Sequence, residues 1–442
     1  MHCQLFPKPG SKASYATLAL TLLILFSPLE ITRAADESPS APLALYLTWQ
    51  QDPTTTMTVD WHVGPEDDKN EPMLHYKQAG SEEWKSARAY RQFFPYSNRT
   101  INRVEITGLQ PDTYYRFRAD DFTREYSFRT MPDEPTRTIR FAAGGDTDHV
   151  IGGRSYKVNQ SVMEYDPDFI VWGGDLAYAD GGEPDRNRVD RWYGWFDVIK
   201  QTLITEEGRV VPIISGIGNH EVKRYVGNNQ WHNFDNTILP YDGTDRWRMA
   251  AAPIYYSVIA FPGLPGYGVL DFGNYMSLII LDTGHTNRVE GPQLGWLEEV
   301  LTERDRRKVD YIYPVYHNPG FPSHRSPDGR PYREVRDYWV PLFEQSSVQV
   351  AFENHDHTYK RTHPIRNGQV SEDGIVYIGD GNWGRRPREI VNKPGETWYM
   401  KVAESVNNAI IVTIDEDGRQ HFLAIDENGD QIDEYEIPSS VR

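Results

Sequence analysis

The chain of 442 residues carries 46 Lys and Arg against 64 Asp and Glu, a net charge of −18, and is 38% hydrophobic and 25% charged. That balance excludes extensive disorder and a collagen-like fibre, and a surface coated for nucleic acid or anionic lipid; the length calls for two or three domains. With 35 Gly and 30 Pro, the chain is punctuated for strands and turns rather than for a helix bundle.

Residues 1–34 read as a secretory signal peptide. Lys8 and Lys12 precede an apolar stretch from Ala16 to Phe26, and a polar run follows, ending Thr32-Arg33-Ala34, which places cleavage after Ala34. The apolar core is short for a spanning helix. This segment predicts export, to a periplasm or out of the cell, with no membrane attachment of the mature chain. The single cysteine, Cys3, falls inside it, so the mature chain can build neither a disulfide nor a thiolate metal site.

Residues 35–131 read as a small all-β unit. Met57, Val59, Trp61 and Val63 alternate with polar residues, the period-2 signature of a half-buried strand. Shorter alternations follow at Val104/Ile106, Tyr115/Phe117/Ala119 and Tyr126/Phe128, punctuated by Gly108 and Pro111-Asp112. Such spacing predicts a β-sandwich of about a hundred residues, fibronectin type III-like. Met131-Pro132-Asp133-Glu134-Pro135 supplies the linker.

From 138 to 432 the pattern changes to apolar strand-like runs that end in polar or glycine-rich motifs. Ile139 to Ala143 leads into Gly144-Gly145-Asp146-Thr147-Asp148, and Phe169 to Trp172 into Gly173-Gly174-Asp175-Leu176-Ala177-Tyr178. Val210 to Ile214 leads into Gly218-Asn219-His220-Glu221, Val309 to Val315 into Tyr316-His317-Asn318, and Val348 to Phe352 into Glu353-Asn354-His355-Asp356-His357. Helical faces lie between some of them, one through Val189, Trp192, Phe196 and Ile199, another through Leu294, Leu297, Val300 and Leu301. In α/β sheets functional groups collect at the carboxyl ends of strands. Asp282 and Asp380, each after a further apolar run, read as turn or cap residues.

Taken singly these motifs are weak; their order is specific. Asp146, then Gly-Asp-x-x-Tyr at 174–178, Gly-Asn-His-Glu at 218–221, His317 and His355-x-His357 resemble the ordered ligand set of metallophosphoesterases, and Tyr178 resembles the purple acid phosphatase branch. Oxygen and imidazole donors without thiolates suit Fe, Mn or Zn, and a bridging carboxylate suits two-metal hydrolysis. The resemblance implies a four-layer α/β/β/α metallophosphoesterase domain behind the sandwich. It implies Asp146, Tyr178 and His357 on a first ion, Asn219, His317 and His355 on a second, and Asp175 between them. The ions it implies are Fe(III) and a divalent Fe, Zn or Mn, whose charge would draw small phosphorylated substrates to an acidic protein. The implied reaction is phosphomonoester hydrolysis by a metal-bound hydroxide, with His220 on the phosphate or the leaving oxygen and His324, in the loop after His317, contacting substrate.

Two motifs depart from the family pattern. The first reads Asp146-Thr147-Asp148 where Asp-x-Gly is usual, so Asp148 is either an extra metal ligand or a group outside the ligand set. The last carries Asn354 in place of glycine, the least costly substitute if that position needs a positive φ. Asp356, between the two imidazoles, reads as a supporting or solvent group. The ligands do not separate a phosphomonoesterase from a phosphodiesterase or a nucleotide- or pyrophosphate-cleaving enzyme, because the loops over the site decide that. A reading from another class keeps the sandwich as a carbohydrate- or protein-binding module and the second domain as a worn scaffold.

Overall fold

The structure, a computed structural model, describes residues 41–68, 71–182, 188–223 and 241–439. The predicted signal peptide lies outside the described residues. No helix among those residues is long and apolar enough to cross a membrane.

Two four-stranded antiparallel sheets form the first part, Ala44–Thr48, Met57–Val63, Thr100–Ile106 and Tyr90–Phe93 in one, Lys85–Arg88, Met73–Gln78, Tyr114–Ala119 and Tyr126–Arg129 in the other. Trp61, Val59, Leu74, Phe117 and Phe128 meet between them. The alternation in Met57–Val63 places its apolar set inward, as the period demands. Its polar set, however, is buried too, because Thr58, Asp60 and His62 face the second part of the molecule rather than solvent. The His62 ring packs 4.5 Å from that of Phe196. Arg103, 2.5 Å from Asp60, donates to the carbonyls of Ser257 and Val258. What the sequence presents as a half-buried strand is therefore a fully buried one with a polar docking face.

The second part stacks two mixed sheets. One is ordered Ile213–Ser215, Phe169–Trp172, Ile139–Gly144, Asn408–Ile414, Gln420–Asp426, Gln431–Ile437. The other runs Gly268–Phe272, Met276–Ile280, Tyr311–Val315, Val350–Glu353, Val376–Gly379, Tyr359–Thr362, Met400–Glu404. Successive side chains point to opposite faces: Phe141 and Ala143 enter the core between the sheets, while Ala142 faces outward. Phe141 meets Tyr313 of the opposing sheet at 5.7 Å. Helices Arg154–Met163 and Val189–Thr202 cover one outer face through Val158, Trp192 and Phe196. Pro292–Arg307 covers the other through Leu297, Val300 and Leu301. The result is the four-layer α/β/β/α arrangement. Its consequence for function is local: the parallel strands of both sheets end on the same side, and the polar motifs follow those ends.

Candidate metal centre

Three loops from one sheet and two from the other bring the motif residues together. Asp146 Oδ1, the Tyr178 hydroxyl and His357 Nε2 form a triangle with edges of 2.8, 2.9 and 3.0 Å. Beside it His317 Nε2 lies 3.0 Å from His355 Nδ1, 3.3 Å from Asn219 Oδ1 and 3.3 Å from Asp175 Oδ2. Cis donors on one ion with bonds of about 2.1 Å stand about 3.0 Å apart. Both groups match that spacing with oxygen and imidazole atoms alone, so the residues present fit a pair of ions. The two imidazoles of His355-x-His357 are splayed, one to each group.

The backbone is bent to make this possible. Asp146, Asp175, Tyr178, His355 and His357 all have positive φ, between 55° and 83°, a region that costs a residue with a Cβ roughly 1–2 kcal/mol. Asn354 is not among them. The condition that would make asparagine the least costly substitute there, a positive φ, is thus not met. Its side chain is the reason instead, since Asn354 Nδ2 donates to the Tyr316 carbonyl at 2.8 Å. It fills space left by Gly173, where an added Cβ would fall 1.9 Å from Asn354 Nδ2.

Glu221 locks two loops into register. Its buried carboxylate accepts the backbone N–H groups of Asp175, Leu176 and Gly218, each at 2.8 Å. Burial, then the charge of Asp175, pushes its pKa up to about 7. The His317 ring is oriented by its Nδ1, 3.1 Å from the Gly173 carbonyl, which turns Nε2 to the centre. Burial alone would depress the pKa of His317, but Asp175 and then Asp146 lift it to about 9. Burial likewise opposes ionisation of Asp175, yet His317 and His220 hold its carboxyl well below the usual range. Burial, Asp146 and Asp175 hold the Tyr178 phenol well above its ordinary value.

His220 lies against this centre, its ring 4.0 Å from that of Tyr178 and its Nε2 3.9 Å from Asp175 Oδ2. Its Nδ1 is 2.5 Å from Asp180 Oδ1. Sequence reasoning missed Asp180, which follows Tyr178 by two positions; no regular spacing marks it, because an irregular turn brings it back. Asp148 accepts the Val150 N–H at 3.1 Å, and its backbone N–H binds Ser155 Oγ at 2.7 Å. His324 is held beside the ligand segment rather than in it. Its N–H donates to Asp356 at 2.7 Å and its ring Nδ1 to the Glu389 carbonyl at 2.8 Å. Asp356 is buried and paired with Arg325 at 2.5 Å. Asp282 accepts the N–H groups of His285, Thr286 and Asn287 and closes its own loop.

Arginines were the other omission. The Arg385 guanidinium lies 3.8 Å from the Tyr178 ring centroid, and Arg388 donates to the His355 carbonyl at 3.2 Å. Gly384-Arg385-Arg386-Pro387-Arg388 was the available signal, a basic run in an acidic chain.

Comparison with known proteins agrees with this geometry. Residues 42–130 match the family described as purple acid phosphatase, N-terminal domain, and residues 145–359 match calcineurin-like phosphoesterase. Purple acid phosphatase 21 of Arabidopsis thaliana is 27% identical over 306 residues, covering 67% of this chain and 61% of that protein. A purple acid phosphatase of Glycine max is 24% identical over 343 residues, 74% and 67% of the two chains. The first-named relative is thus spanned over about six-tenths of its length. Among solved structures, purple acid phosphatase PPD1 from yellow lupin superposes with a TM-score of 0.69 at 17% identity, covering 90% of this chain and 74% of that one. PhoD gives 0.64 at 13%, with 92% and 94% covered. At these identities the structures attest the fold.

Proposed function

We propose a phosphomonoesterase activity from this premise: the chain belongs to the purple acid phosphatase family, with its N-terminal domain ahead of a calcineurin-like phosphoesterase domain. The observation that carries the proposal is the pair of adjoining donor groups, Asp146/Tyr178/His357 and Asp175/Asn219/His317/His355, each spaced for one ion. When bound, two ions supply Lewis acidity toward phosphate oxygens and an activated water. Family chemistry and the phenol of Tyr178 favour Fe(III) in the first group; Fe, Zn or Mn suits the second.

The remaining work falls to the protein. Asp175, which acts electrostatically on both Tyr178 and His317, is assigned the role of joining the two groups. Asp180 fixes the His220 ring through Nδ1, leaving Nε2 to face the substrate and give a proton to the departing oxygen. Glu221 keeps the Asp175 and Asn219 loops from moving apart. His324 is assigned a substrate contact through its outer nitrogen, and Asp148 a supporting role near the first group. We further propose that the chain is exported through residues 1–34 and acts on small phosphorylated molecules in a periplasm or outside the cell.

The test is the ratio of kcat/KM for p-nitrophenyl phosphate and bis(p-nitrophenyl) phosphate on metal-loaded protein. A preference for the monoester of at least tenfold is expected. A preference for the diester would overturn the monoesterase reading and assign the same centre to phosphodiesters.

A further inference from the structure

We propose that Arg385 and Arg388 form an anion subsite at the rim of the metal centre, selecting phosphomonoesters that carry a second anionic oxygen group on the leaving moiety. The subsite rests on the phosphatase reading above. Three observations carry it.

The first is placement. Arg385 lies 3.8 Å from the ring centroid of Tyr178. Arg388 is bound twice to the other side of the ligand set, its backbone N–H to the His357 carbonyl at 3.0 Å and its guanidinium to the His355 carbonyl at 3.2 Å. The second is the lack of an ion-pair partner. Arg188, Arg325 and Arg361 each pair with an aspartate. Among the described residues, neither Arg385 nor Arg388 has a carboxylate oxygen within 4.0 Å. The buried Arg385 Nε also has no hydrogen-bond partner there. Arg385 also feels the charge of Asp148, whose Oδ1 accepts the Val150 N–H at 3.1 Å. Arg388 faces Arg325 as well as Asp146 and Asp356. Two half-buried guanidinium groups with no carboxylate in ion-pair contact are costly unless an anion comes to them.

The third observation is rigidity. Asn407 Nδ2 donates to the Arg385 carbonyl and Ser405 Oγ to that of Arg388, both at 2.7 Å. The Gly384 N–H reaches the Asp146 carbonyl at 2.9 Å. At Gly384 a Cβ would fall 2.0 Å from Ser155 Oγ, so glycine is what lets the segment lie against the centre. The backbone that carries the two cations is therefore fixed before substrate arrives, which limits the entropy lost on binding.

The experiment uses the full metal-loaded chain and two matched substrate pairs. Glycerol 3-phosphate and 3-phosphoglycerate differ by a carboxylate; fructose 6-phosphate and fructose 1,6-bisphosphate differ by a phosphate. For each pair the ratio of kcat/KM, doubly anionic over singly anionic, is measured in wild type, Arg385→Gln, Arg388→Gln and Arg386→Gln. Metal content is checked in every variant. The proposal predicts a ratio above one for at least one pair, which identifies carboxylate or phosphate as the recognised group. That ratio falls roughly 10- to 100-fold when either subsite arginine is removed and holds in Arg386→Gln, whose side chain is exposed. Equal losses on both members of each pair would place the arginines on the transferred phosphoryl group and overturn the subsite. Ratios unchanged at full metal content would overturn it as well, with the phosphatase reading intact. A wild type that cleaves none of the four, nor p-nitrophenyl phosphate, would remove both.

Discussion

Left-handed backbone at Asp146, Asp175, Tyr178, His355 and His357 concentrates strain of roughly 1–2 kcal/mol per residue at one place. Such strain persists where surrounding bonds fix it, here the His355 N–H on Asp146 Oδ2 and the His357 N–H on the Asp380 carbonyl, both at 2.9 Å. None of this was legible in the sequence, which carries no glycine at these positions. The residue types were, because strand ends followed by Asp, Asn, Tyr and His in one order leave few alternatives. Two predictions belong at this scale. With ferric iron in the first group, the protein absorbs in the visible, and Tyr178→Phe abolishes the band; a band that survives refutes the phenolate assignment. The second concerns protons. In metal-free protein the His317 pKa, about 9, exceeds the solution value of about 6.5. Its contribution to folding is full below the latter and disappears as pH rises through the former. A metal ion needs the neutral ring, so binding at pH 7 releases at least one proton, and apparent affinity rises up to about tenfold per pH unit toward 9. Calorimetric titration with Zn²⁺ in buffers of different ionisation enthalpy measures this; zero proton release would contradict it.

Strands and loops set the spacing of the two donor groups. The strand runs and the two helical faces were readable from apolar periodicity, which reports burial directly. The loops were not, since their shape depends on contacts between motifs far apart in sequence. Glu221 is the clearest case: it closes the tetrapeptide Gly-Asn-His-Glu, yet its three bonds bind the loop after Phe169–Trp172 to the loop after Ile213–Ser215. Glu221→Ala leaves three buried N–H groups without acceptors, at roughly 1–3 kcal/mol each. A loss of about 3 kcal/mol or more in chemical denaturation is expected, together with weaker metal retention. A loss under about 1 kcal/mol would show that water replaces the carboxylate. Asn354 makes the same point from the other side, as its role lies in the space beside Gly173 and not in its own φ.

On the scale of the whole molecule, the sandwich is built into the catalytic part. Tyr46 stacks on Phe196 at 5.0 Å and donates to the Val258 carbonyl, while Trp49 meets Phe169 and Phe272 at 5.9 Å. Alternation alone predicted a half-buried strand, because period 2 reports which face is apolar and not what covers the polar one. Removing residues 35–131 uncovers Phe196, Phe169 and Phe272, and the truncated chain is expected to aggregate; a soluble, fully active product would contradict the docking. A finer probe is Arg103→Met, which strands the buried carboxylate of Asp60. Breaking a buried pair from one side costs about 3–5 kcal/mol, and thermal unfolding should register it. An unchanged melting temperature would mean that the pair is solvated.

The central claim is that this fold holds two ions and uses them on phosphomonoesters. Metal content per chain, determined by elemental analysis alongside activity on p-nitrophenyl phosphate, tests it most directly. About two ions per folded chain are predicted, with activity lost on chelation and regained on reloading. One ion or none in an active preparation, or full activity after chelation, would contradict the account.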